Sequence, residues 1–160
     1  MSDTLKCAIY CRVASVNEFN IDAIKMQEEM LRNYATKVMF SIVGIYSDNG
    51  ASGQSFDRTE FQKMMFAVNN GEINCIIAKD TCRISRNYLQ FGKWLDDMRG
   101  KNVRVIAVND NFDSKNHDDQ IVSFADAIDK YYKESHSQRI KAGIALARQR
   151  KLEQTAKLSE

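Results

Sequence analysis

Residues 5–13 read LKCAIYCRV, an almost unbroken apolar, β-leaning run that predicts a buried strand. Working outward from it, the same pattern returns at 39–47 (MFSIVGIYS), 73–78 (INCIIA) and 102–108 (NVRVIAV). Helical spacing fills the gaps. Asn20 is placed to cap a helix over about 21–37, with Ile21, Ile24, Leu31 and Tyr34 on or near one face. Asp57 with Glu60, or Thr59 with Gln62, has the spacing of a capping box, and Phe61, Met64, Met65 and Val68 repeat at i, i+3, i+4, i+7. Asn70-Gly71 ends that helix. Tyr88, Phe91, Trp94, Leu95 and Met98 mark another, stopped at Gly100. Strands alternating with helices imply right-handed crossovers and an α/β fold with a mostly parallel sheet. Ligands of such sheets sit beyond the carboxyl ends of the strands. Three segments fall there: 12–15 (RVAS), the polar glycine loop 48–58, and 79–86.

The C-terminal part reads differently. From about Asp118 to residue 150 one helical pattern runs on, with an apolar stripe of Ile121, Phe124, Ala125, Ile128, Tyr131 and Tyr132, continued weakly by Ile140, Ile144 and Ala147. Such a helix is about 48 Å long, more than a small domain is wide, so it is expected to project and to pair with a second copy. A kinked helix folding back as two is the alternative. The division expected is a core at 1–117 and an oligomerisation helix with basic tail at 118–160.

Composition bounds the function. The chain has 160 residues, 44% of them apolar and 28% charged, with net charge +2, as in an ordinary globular domain. Residues 131–160 carry seven Lys/Arg and three Glu, net +4, which leaves −2 for the rest. Arg139, Lys141, Arg148, Arg150 and Lys151 therefore suit a tail approaching DNA, and equally a solvated helix. No apolar run is long enough to span a bilayer and no signal peptide is visible, so a cytoplasmic location is the expectation. Cys7, Cys11, Cys75 and Cys82 have no histidine nearby, which argues for reduced core thiols and against a zinc site.

With two histidines, His117 and His136, no Ser-His-Asp arrangement can be assembled, and HExxH, the P-loop and GxGxxG are absent. What the chain offers is arginine at strand ends: Arg12, Arg58, Arg83 and Arg86. Guanidinium groups are permanently charged and grip phosphate oxygens in forked geometry. Several around one cleft would neutralise a phosphodiester and the extra charge of its transition state.

Five ordered stretches carry a resemblance. AIYCRVAS looks like the opening motif of serine recombinases, Y-x-R-V-S, and YSDNGASGQSFDR resembles their Y-x-D-x-G-x-S-G-x-x-x-x-R segment. KDTCRISRN resembles K-D-L-S-R-L-G-R-N, VIAVNDNFDS the strand and loop that follow, and YYKESHSQRIKAG the start of their long helix. The resemblance implies a resolvase-like three-layer catalytic domain that cuts DNA through a covalent 5′-phosphoserine, exchanges strands and religates. It implies no metal and no nucleotide cofactor, double-stranded DNA as substrate, and a homodimer that forms a tetramer at synapsis. By motif position Arg12, Arg83 and Arg86 carry over as phosphate ligands and Arg58 as a further active-site arginine. Gln27 and Asp48 match the positions that organise the site.

The departure is at the nucleophile, where Ala14 stands in place of serine. Strand alternation puts Arg12 and residue 14 on one face and turns Ser15 away, so the chain is expected to be inactive, either by replacement or as a natural DNA-binding or assembly relative. A small-ligand flavodoxin-like domain is supported by fold analogy alone. Ending at Glu160, the chain is expected to be a fragment lacking the domain that reads DNA sequence.

Overall fold

The structure is a computed structural model that describes residues 5–15, 18–117, 137 and 140–149, with backbone alone at 18–20. Strand β1 (Lys6–Val13) is followed by α1 (Glu18–Lys37), β2 (Ser41–Asn49), α2 (Thr59–Asn69) and β3 (Cys75–Ala78). Then come a one-turn helix α3 (Thr81–Ile84), α4 (Tyr88–Gly100), β4 (Arg104–Ala107), β5 (Phe112–Asp113) and a 3₁₀ turn at Ser114–His117.

The five strands form one sheet in the order β2-β1-β3-β4-β5, parallel except for β5. β1 lies between β2 and β3 and is buried along Cys7–Val13, which explains its apolar composition on both faces. The alternation of its side chains builds three layers. Ala8 and Tyr10 join Phe61, Met64, Val68, Phe91, Leu95 and Met98 of α2 and α4 in one cluster. Cys7, Ile9 and Cys11 join Leu31 and Ala35 of α1 in another. Each fully buried Leu or Phe in these layers contributes about 1.5–3 kcal/mol.

Several expectations needed correction. α1 begins at Glu18, so Asn20 lies inside the helix rather than at its cap, and Ile21 is half exposed. β2 runs on to Asn49 and takes Asp48 out of the predicted loop. α2 has no capping box. Its N-cap, Arg58, makes no side-chain cap bond; instead the Asp48 carboxylate accepts from the N–H groups of Glu60 and Phe61, both at 3.0 Å. A strand residue eleven positions earlier than Thr59 thus does what a local cap would do. Gly71 ends α2 as expected, at φ 73°, with Gly71 N–H bonding Val68 O and Glu72 N–H bonding Ala67 O. α4 stops not through Gly100 but through Asn102, which takes the left-handed conformation at φ 56°. α3 and β5 had no clear sequence signal. Three cysteines are buried, and burial pushes the Cys11 thiol up to about 12; Cys82, expected in the core, is exposed.

Contacts divide the chain into Met1–Ala125 and Asp126–Glu160. In the second unit residues 140–149 are helical and exposed. Most of the helix expected over 118–150, with its boundary at 117/118, lies outside the described residues. No helix among the described residues is long and apolar enough to cross a membrane.

Candidate active site

In the order 2-1-3-4-5 the chain leaves β1 toward one side for β2 and toward the other for β3, which opens a crevice at their carboxyl ends. A hollow of about 550 Å³ lies there. Its floor is the tip of β1, with Val13, Ala14 and Ser15. One wall is α1, with Ala23, Met26, Gln27 and Met30, and the other is Lys79, Arg83 and Arg86 from the segment after β3.

The tip of β1 is pinned from three directions. Gly50 and Ala51 N–H both donate to Val13 O, at 3.0 and 3.1 Å. The Gln27 amide spans the backbone of Arg12, accepting from its N–H at 3.4 Å and donating to its carbonyl at 3.3 Å. Arg83 Nη1 donates to the same carbonyl at 3.1 Å. Beyond Val13 the strand ends, and Ala14 and Ser15 follow as an exposed bend. The alternation argument for Ser15 therefore does not apply: both residues line the hollow.

The four arginines divide into two kinds. Arg12 is fully buried. Its Nε donates to Arg83 O at 3.0 Å, Nη1 to Ala51 O at 2.8 Å and Nη2 to Cys82 O at 2.8 Å. It ties the glycine loop and α3 to the end of β1 and is not part of the hollow's lining. Arg58 is also buried. It donates to Tyr10 Oη at 2.6 Å, Ser55 O at 3.0 Å, Arg83 O at 3.1 Å and Ile84 O, and its guanidinium lies 4.5 Å from the centre of the Phe61 ring. Arg83 and Arg86 face the hollow. Arg83 is held by Asp80, whose carboxylate accepts from its N–H at 3.1 Å and its Nε at 3.4 Å. Arg86 is exposed, its N–H fixed to Gly53 O at 2.8 Å, and its guanidinium has no hydrogen bond or ion pair among the described residues.

Burial, followed by the charges of Arg58 and Arg86, holds Arg12 below the ordinary guanidinium range; burial does the same to Arg58. Both stay protonated, so the site carries an excess of positive charge that a bound anion would relieve.

Tyr10, Gly53 and Lys79 belong to this arrangement and were not singled out from sequence. Tyr10 Oη donates to Asp48 Oδ2 at 2.8 Å and accepts from Arg58. Burial pushes its phenol well above the usual range. Asp48 thereby links β1, β2 and the start of α2. A Cβ on Gly53 would stand 2.7 Å from Arg12 Nη2 and 2.9 Å from Arg86 Cγ, so the loop approaches both arginines closely because position 53 has no side chain. The available signals were the tyrosine of the Y-x-R motif, the glycine of S-G and the lysine that opens KDTCRISRN. Of the basic residues expected to meet DNA, Lys141 and Arg148 are exposed on the helical stretch 140–149; Arg139, Arg150 and Lys151 lie outside the described residues. No group of three or more His, Cys, Asp or Glu residues suited to a metal ion occurs among the described residues.

Comparison with known proteins agrees with this geometry. A family profile described as the resolvase N-terminal domain matches residues 7–152. The fold is similar to that of a resolvase family site-specific recombinase from Streptococcus pneumoniae, with TM-score 0.69, 25% identity, and 91% of this chain and 99% of that one covered. The N-terminal catalytic domain of TP901-1 integrase also gives a TM-score of 0.69, at 22% identity, covering 82% of this chain and 98% of that one. The C-terminal catalytic domain of ISC1926 TnpA, an IS607-like serine recombinase, gives 0.59 at 22% identity, covering 65% and 70%. The solved structures similar to this chain in fold include catalytic domains of an integrase and of a serine recombinase, and the chain belongs to the resolvase N-terminal domain family.

Proposed function

We propose that this domain cleaves and religates double-stranded DNA during site-specific recombination, through a covalent link between a serine and a 5′-phosphate. The observation that carries the reading is the cationic wall of the hollow: Lys79, Arg83 and Arg86 stand opposite the bend that holds the nucleophile position. A phosphodiester there would meet three positive side chains, and the additional charge of its transition state would be stabilised by the same groups. Arg12, Arg58, Gln27 and Asp48 act one step back. They bind backbone carbonyls, N–H groups and one another, and so hold the segments that carry the phosphate ligands. Lys141 and Arg148, with Arg139, Arg150 and Lys151, are assigned to DNA backbone contacts, and two copies pair through 118–150 before assembling into a tetramer. A second reading, a DNA-binding or assembly relative without chemistry, is favoured by Ala14, because a methyl group at the family's nucleophile position cannot attack phosphorus.

The test uses the full-length protein and a supercoiled plasmid carrying the DNA that flanks its gene. The expected product has protein-blocked 5′ ends and free 3′-hydroxyls that a polymerase extends, and Arg86→Ala reduces its yield. Blocked 3′ ends would overturn the proposed polarity. Retention of the plasmid with every strand intact would favour the second reading.

A further inference from the structure

We infer that Ser15, one residue beyond the family's nucleophile position, is the group that attacks the phosphate in this chain; the inference rests on the strand-cleavage reading above. Three observations carry it. The first is that β1 stops at Val13, whose carbonyl is held by Gly50 and Ala51, so residues 14 and 15 form a bend instead of alternating across a sheet. The second is that the hollow is lined by both, and among its described lining Ser15 is the one hydroxyl-bearing side chain. The third is that the cations opposite are long and adaptable. Moving the nucleophile by one residue shifts its Cα by about 3.8 Å, a distance the side chains of Lys79 and Arg86 can follow, and neither makes a hydrogen bond or ion pair among the described residues.

The anchored framework is what makes a one-residue shift tolerable. Arg12 and Gln27 fix the chain up to Val13, so the bend starts from a defined point however it is filled. The floor of the hollow can then present a hydroxyl from its second residue in place of its first.

The step balances without a further reactant. Ser15 Oγ forms a bond to phosphorus as the bond from phosphorus to the 3′-oxygen breaks. The hydroxyl proton passes, directly or through water, to the departing 3′-oxygen, leaving a 5′-phosphoserine and a 3′-hydroxyl. Attack by a 3′-hydroxyl in the reverse direction restores the DNA and frees Ser15.

Full-length protein is incubated with a pool of duplex fragments tiled across the DNA flanking its gene, denatured, digested with nuclease and trypsin, and mapped by mass spectrometry. Ser15→Ala, Ala14→Ser and the double substitution are treated in parallel, with DNA retention and thermal midpoint measured for each. A nucleotide remnant on Ser15 of the unaltered protein, reduced to background by Ser15→Ala at unchanged retention, is the expected result. An adduct that survives Ser15→Ala overturns the inference. So does an adduct that appears only when Ala14→Ser is present and maps to position 14, an outcome that leaves the strand-cleavage reading standing. No adduct from any of the four proteins, with DNA retained, overturns both.

Discussion

Gly53 shows how far a single absent side chain reaches. The buried Arg12 guanidinium has its three nitrogens committed to carbonyls on the glycine loop and α3, so it cannot swing aside as a surface arginine would. Gly53→Ala places a methyl group 2.7 Å from Arg12 Nη2 and 2.9 Å from Arg86 Cγ. Overpacking of this kind costs about 1–3 kcal/mol. Gly53→Ala should therefore lower the denaturant midpoint and weaken DNA retention together; a variant with unchanged midpoint and retention would show that the loop yields. Arg12 also illustrates what a motif does not say. Its place in the Y-x-R pattern suggested a ligand to phosphate; in the structure its guanidinium donates to the carbonyls of Arg83, Ala51 and Cys82.

Among the elements, β4 and β5 pair antiparallel in the sheet and are tied further by one ion pair. Arg104 Nε and Nη2 reach the two oxygens of Asp113 at 3.0 and 2.6 Å, and Val105 N–H donates to Ser114 Oγ at 2.9 Å. Burial alone would raise the Asp113 carboxyl, but the hydrogen bonds from Arg104 and from Lys115 N–H outweigh it and hold the group below its ordinary value. A carboxyl depressed in the folded state stabilises the fold above its unfolded pKa of about 3.9 and loses that contribution as pH falls through the folded value. Arg104→Met removes the larger part of what lowers the group and leaves the bond from Lys115 N–H. Its destabilisation, about 1.5–3 kcal/mol at neutral pH, should shrink in denaturant titrations taken from pH 5 toward pH 2. A constant difference across that window would show that the pair is not the cause. The hairpin matters to the site because Asp110 Oδ2 accepts from Thr81 N–H at 2.7 Å, linking it to the segment that carries Lys79, Arg83 and Arg86.

For the molecule as a whole, the proposed pairing of two copies rests on the apolar stripe that the sequence spaces at Ile121, Phe124, Ala125, Ile128, Tyr131 and Tyr132. Apolar residues at helical spacing predict a face that wants a partner, and a second copy is the simplest one. Sedimentation across a wide concentration range should show a monomer–dimer equilibrium, and Phe124→Glu with Ile128→Glu should shift it toward monomer while leaving the core's thermal midpoint nearly unchanged. A strictly monomeric unaltered chain at high concentration would remove the pairing argument.

The sequence by itself determined the alternation of strands and helices and the α/β class. Apolar strands at 5–13, 73–78 and 102–108 and helical spacing between them are local patterns, and period and burial follow from the chain's own alternation of side chains. It also carried the family resemblance through five stretches in order. Only the tertiary structure decided which groups the motif residues bind. Asp48 caps α2 across a loop, Arg12 and Arg58 turn inward to carbonyls, and Ser15 joins Ala14 at the hollow because both follow the end of β1 at Val13 as a bend. Each of these depends on which backbone groups distant segments bring within hydrogen-bond range. Neither propensity nor spacing along one strand encodes that proximity.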